Sequence, residues 1–167
     1  LNGLITLIHE DPEKAENLVI ELSGFLRNSL YQSNGTNHSL SAEVELLTAY
    51  LNIEKIRFGE RFNFKFSIDD KANEVVVPKF FSLSLVENCI KHNGDVSNLS
   101  IHYHAKIVEG ILQIKIEDNG KDFTSLVSEN GGLKSTRALL DSRYKQKYKI
   151  EFINLDESKY VQIDIEI

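Results

Sequence analysis

The stretch Phe80-Phe81-Ser82-Leu83-Ser84-Leu85-Val86-Glu87-Asn88-Cys89-Ile90-Lys91-His92-Asn93-Gly94 decides how the chain is read. Phe81, Leu85 and Cys89, with Leu83, Val86 and Ile90, recur at helical spacing, which predicts one helix with most of its circumference buried. Ser84, Glu87, Asn88 and Lys91 stand at i, i+3, i+4 and i+7, so they share one narrow polar face, and His92 lies one turn beyond Asn88. A carboxylate, an amide and an ammonium in line have no packing purpose, and burying them unpaired is costly. The stripe therefore faces a ligand in a wet cleft, or plain water, as on any amphipathic surface helix.

Two later stretches bear on that choice. Leu112, Ile114 and Ile116 alternate with Gln113, Lys115 and Glu117, a strand pattern that runs straight into Asp118-Asn119-Gly120. Read alone, Asp-Asn-Gly is an ordinary turn signal. Asn130-Gly131-Gly132-Leu133-Lys134-Ser135 then opens a helix over Thr136–Arg143. Glycines at a helix start let backbone N–H groups approach a phosphate, although many helices simply follow a glycine turn.

Taken in order, LVENCIKH (85–92), DNG (118–120) and GGLKSTRALL (131–140) resemble the N box and the two glycine boxes of the GHKL, or Bergerat-fold, ATPases. Upstream, EDPEKAENLVIELSGFLRNSLY, LSAEVELLTAYLNIEKIRFGERFNFKFSID and VPKFFSLSLVENCIKH look like the LytS/YehU type of sensor histidine kinase, and the resemblance runs from Leu1 to Ile167. It implies an α+β fold, the Bergerat sandwich: a mixed, mostly antiparallel sheet covered by helices on one face, preceded by a helical segment. Residues 1–38 would end the dimerisation and phosphoacceptor region, and 39–167 would form the ATP-binding catalytic domain.

The site residues follow from the same resemblance. Asp118 would accept the exocyclic amine of adenine, a role suited to a fixed carboxylate. Asn88 would be the protein ligand of Mg, an ion that keeps several waters and needs few protein oxygens. Glu87 would orient or deprotonate the nucleophile, a histidine imidazole in this family. Lys91 and His92 would lie toward the phosphates. Gly120, Gly131 and Gly132 would give backbone room, with Leu133 completing the nucleotide-binding set and residues 121–130 forming a short lid. The implied cofactors are ATP and Mg. The implied partners are a response regulator and, in the full-length protein, a second copy.

Four positions depart from the family pattern: Asp122 where a glycine is usual, Asn130 in place of the first glycine of Gly-x-Gly, Ser135 where asparagine is usual and Leu139 where arginine is. The family's phosphoacceptor histidine would precede Leu1, and His9 does not match it. The chain opens on Leu1 without a Met, which reads as an excised cytoplasmic piece of a membrane-anchored sensor.

Composition sets outer limits. The chain has 167 residues, enough for one domain with a real core plus a helical extension. A net charge of −6 argues against a nucleic-acid surface. One cysteine, Cys89, permits no disulfide within the chain and fits a reducing compartment. No apolar run approaches the roughly 20 residues that span a membrane, and no signal peptide is recognisable.

Along the rest of the chain, Asp11-Pro12 starts a helix to about Tyr31 whose Ala15, Leu18, Val19, Leu22, Leu26 and Ser29 share a face suited to pairing with a second copy or to packing on its own domain. A polar loop is expected at 32–38, and a helix capped by Ser41 and ended by Gly59. Phe62–Ile68, Val75–Val77, Leu99–Ile107, Tyr148–Phe152 and Val161–Ile167 read as strands, with turns at Asp69–Asn73 and Glu109-Gly110. His102 and His104 share the polar face of their strand; a solvated face explains them better than zinc, for want of a third spaced ligand.

Three functions compete on this reading: the ATP-binding part of a sensor histidine kinase, another GHKL ATPase or serine kinase such as an anti-sigma factor, and a degenerate docking module. The helical segment before the domain separates the first from the second. Nucleotide binding separates both from the third.

Overall fold

A computed structural model describes residues 7–31, 35–93, 96–123 and 132–167. Helix α1 (Pro12–Tyr31) begins where the sequence places it: the side chain of Asp11 accepts from Lys14 N at 3.0 Å, and Pro12 takes the first helical position. Helix α2 (Leu40–Phe58) packs against it, with Ala15 and Leu18 buried and the Phe25 and Tyr50 rings 6.4 Å apart. The cap of α2 is Ser39, not Ser41. Ala42 N donates to Ser39 Oγ at 3.3 Å, while the Ser41 hydroxyl meets that of Ser39 at 2.8 Å. Gly59 ends α2 at φ 62, a left-handed value that glycine takes without strain.

The expected loop at 32–38 ends sooner than the sequence indicated. Asn37–Ser39 forms strand β1, paired antiparallel with β3 (Val76–Pro78), so His38 lies opposite Val77. Between them, β2 (Phe62–Ile68) leads into α3 (Asp70–Asn73), one helical turn where an irregular turn was expected.

The main sheet adds β4 (Leu99–Val108), β5 (Ile111–Asp118), β6 (Tyr148–Asn154) and β7 (Lys159–Glu166), in the order β2-β4-β5-β7-β6. Only the β2–β4 pair is parallel. Period-two alternation sets its two faces: Leu99, Ile101, Tyr103 and Ala105 of β4, Leu112, Ile114 and Ile116 of β5, and Val161, Ile163 and Ile165 of β7 all turn inward. Glu109 and Gly110, both at positive φ (51 and 79), make the two-residue turn that the right-handed twist of a hairpin favours. The expected sandwich, a mostly antiparallel mixed sheet with helices on one face, is what the chain adopts.

Helix α4 (Leu83–Lys91) is shorter than the periodicity of Phe80–Gly94 suggested. Its first turn is lost to a buried carboxylate. Glu43 of α2 accepts the N–H groups of Phe80 (2.9 Å) and Ser82 (3.1 Å) and the Ser82 hydroxyl (2.8 Å), and Phe80 sits at φ 62. The remaining helix, α5 (Gly132–Tyr144), is tied to the same segment by Thr136, whose hydroxyl donates to the Phe81 carbonyl at 2.8 Å. No helix among the described residues is long and apolar enough to cross a membrane.

Candidate nucleotide-binding site

The site forms where β5 ends. The inward phase Leu112, Ile114, Ile116 continues to Asp118, so the fold itself turns this carboxylate into the core, where it is 1% exposed. Its Oδ1 accepts from Gly120 N at 2.9 Å and from Asn93 Nδ2 at 3.2 Å, and the ammonium of Lys159 stands 3.6 Å away. Its Oδ2 is buried with no hydrogen-bond partner among the described residues. Burial pushes the Asp118 carboxyl above the ordinary range, opposed by Lys159 and by the Gly120 N–H. A buried acceptor left open in this way is costly unless something else donates to it.

Asn93 organises the surrounding chain. It is fully buried; its amide donates to Cys89 O at 2.7 Å as well as to Asp118, and its Oδ1 accepts from Lys121 N at 2.9 Å. Gly120 lies directly against it: a Cβ there would fall 2.1–2.3 Å from the Asn93 side-chain atoms. Packing against Asn93 is thus a reason of its own for a glycine at 120, beside the backbone room expected of it. Phe123 is then held by Asn154, whose side chain accepts from Phe123 N (2.8 Å) and donates to Phe123 O (3.1 Å).

Helix α4 packs against β5 beside Asp118. Leu85, Val86, Cys89 and Ile90 are buried, Ser84 and Asn88 are half-buried, and Glu87, Lys91 and His92 are exposed, so the polar stripe read from the sequence is real. Gly132 backs onto it: a Cβ would meet Asn88 Nδ2 at 2.9 Å, Ser84 O at 3.0 Å and Ser84 Cβ at 3.1 Å. The second glycine box and the N box are therefore in direct contact. Leu133 is buried in the core. Burial and the nearby carboxylate of Glu54 raise the Glu87 carboxyl, against the pull of Lys91. Glu54 is itself buried in an ion pair with Arg57, 2.6 Å at the shorter contact.

Other sequence expectations fare differently. Gly131 and residues 124–130 of the expected lid, Asn130 included, lie outside the described residues. Asp122 is exposed, and the non-glycine positive-φ positions among the described residues are Phe80, Glu109, Lys145 and Gln146, so no left-handed backbone makes a side chain at 122 unwelcome. His102 and His104 stack with ring centroids 3.5 Å apart on the outer sheet face, one against Ser67 (2.9 Å) and the other 3.9 Å from Glu117.

Asn93, Lys159, Asn154, Glu43 and Thr136 were all missed in the sequence. Two of them had a readable signal. Counting back in twos from Val161 puts Lys159 on the inward phase of β7, and counting from Leu40 and Leu47 puts Glu43 on the buried face of α2.

The chain is similar to known proteins. A histidine kinase family model matches residues 1–62. The sensor protein LytS of Staphylococcus epidermidis is 34% identical over 123 residues, 72% of this chain. The chain belongs to the LytS-type sensor histidine kinases. A second relative, the sensor histidine kinase/phosphatase LytS of Staphylococcus aureus, is 33% identical over 147 aligned positions, 78% of this chain. The chain spans between a fifth and a quarter of the length of these LytS relatives, 21% and 25%. Among solved structures, the nucleotide-free catalytic domain of histidine kinase ThkA superposes with a TM-score of 0.62 at 15% identity, covering 78% of this chain and 94% of that one, so the two share a fold.

Proposed function

We propose that this chain is the ATP-binding catalytic part of a two-component sensor histidine kinase, passing the γ-phosphate to a histidine on the same or a partner copy and thence to a response regulator. Residues 1–38 would belong to the helical region and 39–167 to the catalytic domain. The observation that carries the reading is Asp118 Oδ2, a buried acceptor beside the Gly120 turn with no hydrogen-bond partner among the described residues. The exocyclic amine of adenine is a donor of the right kind.

The remaining residues take roles that fit their surroundings. Asn88, whose Nδ2 lies against Gly132, would offer its amide oxygen to the Mg ion. Mg completes its shell with waters and phosphates, so a single protein oxygen such as that of Asn88 would suffice to hold it. When bound, that ion would neutralise phosphate charge. Glu87, with its raised basicity, would take the proton of the attacking imidazole. Lys91 and His92 would supply exposed positive or polar groups toward the phosphates, with Gly120, Gly131, Gly132 and Leu133 shaping the turn and helix start beside them. A ThkA structure contains its response regulator TrrA, which supports a regulator as partner here. The exposed apolar residues of α1 support a second copy, and a cytoplasmic domain of an anchored sensor is the setting that follows.

The test uses a longer chain that carries the upstream histidine. It should take acid-labile label from ATP bearing a labelled γ-phosphate, and Glu87→Gln should slow labelling by roughly 100-fold or more while ATP affinity holds. Unchanged labelling by Glu87→Gln would remove the proton-acceptor role; no label on the unsubstituted chain would remove the kinase reading.

A further inference from the structure

Lys159, the first residue of β7, is a lysine only 5% exposed, in a sheet whose other buried positions are apolar or occupied by Asp118. Its register partner across β5 and β7 is Asp118 itself. The ammonium stands 3.6 Å from Asp118 Oδ1, donates to the Lys121 carbonyl and lies 4.8 Å from the centroid of the Phe123 ring. All three attachments go to residues 118–123, the segment that walls the site. With Asn93, Gly120 and Lys159 gathered on Oδ1, Oδ2 is left without a hydrogen-bond partner among the described residues.

We propose that Lys159 is a specificity-determining residue of the base subsite: its ammonium engages Asp118 from the Oδ1 side and leaves Oδ2 as a lone acceptor that takes an exocyclic amine and refuses a keto oxygen. The proposal rests on reading the site as a purine-nucleotide site. Its physical content is the position of one proton. Burial drives a carboxyl toward its neutral form, and Asp118 is displaced that way, with Lys159 the foremost influence opposing it. The other titratable group against Asp118 is the Cys89 thiol of α4, which burial and the Asp118 charge hold protonated. A protonated Asp118 would carry an O–H donor and would pair with the keto oxygen of hypoxanthine as readily as an ionised one pairs with the amine of adenine. Lys159 keeps that oxygen an acceptor. The pair is also neutral overall, so an uncharged base meets no net buried charge.

The experiment measures ADP and IDP binding by calorimetry between about pH 5.5 and 8 on the full chain, with Lys159→Met and Lys159→Arg beside the unsubstituted protein. The unsubstituted chain should prefer ADP over IDP by roughly tenfold or more, with a ratio that does not change with pH. In Lys159→Met the ratio should shrink at the acid end and recover as pH rises, because the carboxyl now titrates within the range. Lys159→Arg should restore a flat ratio. A Lys159→Met ratio equal to the unsubstituted one at every pH, or equal losses for both nucleotides at every pH, overturns the proposal, since a merely structural lysine gives one or the other. A second arm needs no nucleotide: carboxyl-carbon NMR should show the Asp118 midpoint higher in Lys159→Met, and an unmoved midpoint overturns the proposal by itself. Binding of neither nucleotide by the unsubstituted chain overturns the purine reading instead, and the titration then decides whether Lys159 governs Asp118 at all.

Discussion

Asp118 and Gly120 show how closely one residue's chemistry depends on its neighbour's lack of a side chain. Asn93 occupies the space where a Cβ at position 120 would stand, and from there it donates to Asp118 and accepts from Lys121. Gly120→Ala should expel the Asn93 side chain and break both bonds. The expected cost is about 1–3 kcal/mol of folding stability, as for other overpacked sites, together with weaker nucleotide binding; denaturant melts and calorimetry on one sample check both. Retained stability and retained affinity would mean that Asn93 yields without consequence. At this scale the sequence was partly legible. Asp118 could be placed because it continues an apolar phase and belongs to a recognisable motif. Asn93 could not, because it follows the helix as an unremarkable polar residue and acquires its role only when β5 arrives beside it.

Among the elements, the segment entering α4 is held from two directions. Glu43 gathers the Phe80 and Ser82 donors from the α2 side, and its Oε2 meets His38 Nε2 at 2.7 Å; Thr136 secures the Phe81 carbonyl from the α5 side. These bonds join α2, α4 and α5 to one another through the 80–82 segment. Glu43→Ala would leave two N–H groups and a hydroxyl buried without an acceptor. A loss on the order of 3–5 kcal/mol is expected, as when one partner of a buried ionic network is removed, and a chemical-denaturation midpoint that stays put would contradict it. Helical periodicity set the existence of α4 and misplaced its start. The pattern of apolar residues is the same whether or not the first turn is helical; what unwinds it is a carboxylate 37 residues away in sequence, reached through Phe80 at positive φ. The strand alternations were read more accurately because each strand's two faces are fixed by its own residues.

Over the whole molecule, one surface is left without a partner among the described residues. Ala15 and Leu18 bury against α2, but Ile8, Val19, Ile20 and Leu26 are 46–59% exposed. An apolar helix face of that kind is better covered than hydrated. Association of the full-length protein through it is expected, and Val19→Lys with Leu26→Lys should shift sedimentation toward the monomer; no shift would assign the contact elsewhere. The sequence indicated this face but not its division, since which part of a helix packs on its own domain depends on the angle at which α2 crosses it.

All of these scales meet in whether Asp118 reads an amine. The most direct measurement is calorimetry of ATP and GTP against the unsubstituted chain and Asp118→Asn. ATP should bind in clear preference to GTP, and Asp118→Asn should lose about 1–3 kcal/mol in ATP binding as the acceptor oxygen is replaced by an amide. Equal affinity for ATP and GTP in the unsubstituted chain would contradict it.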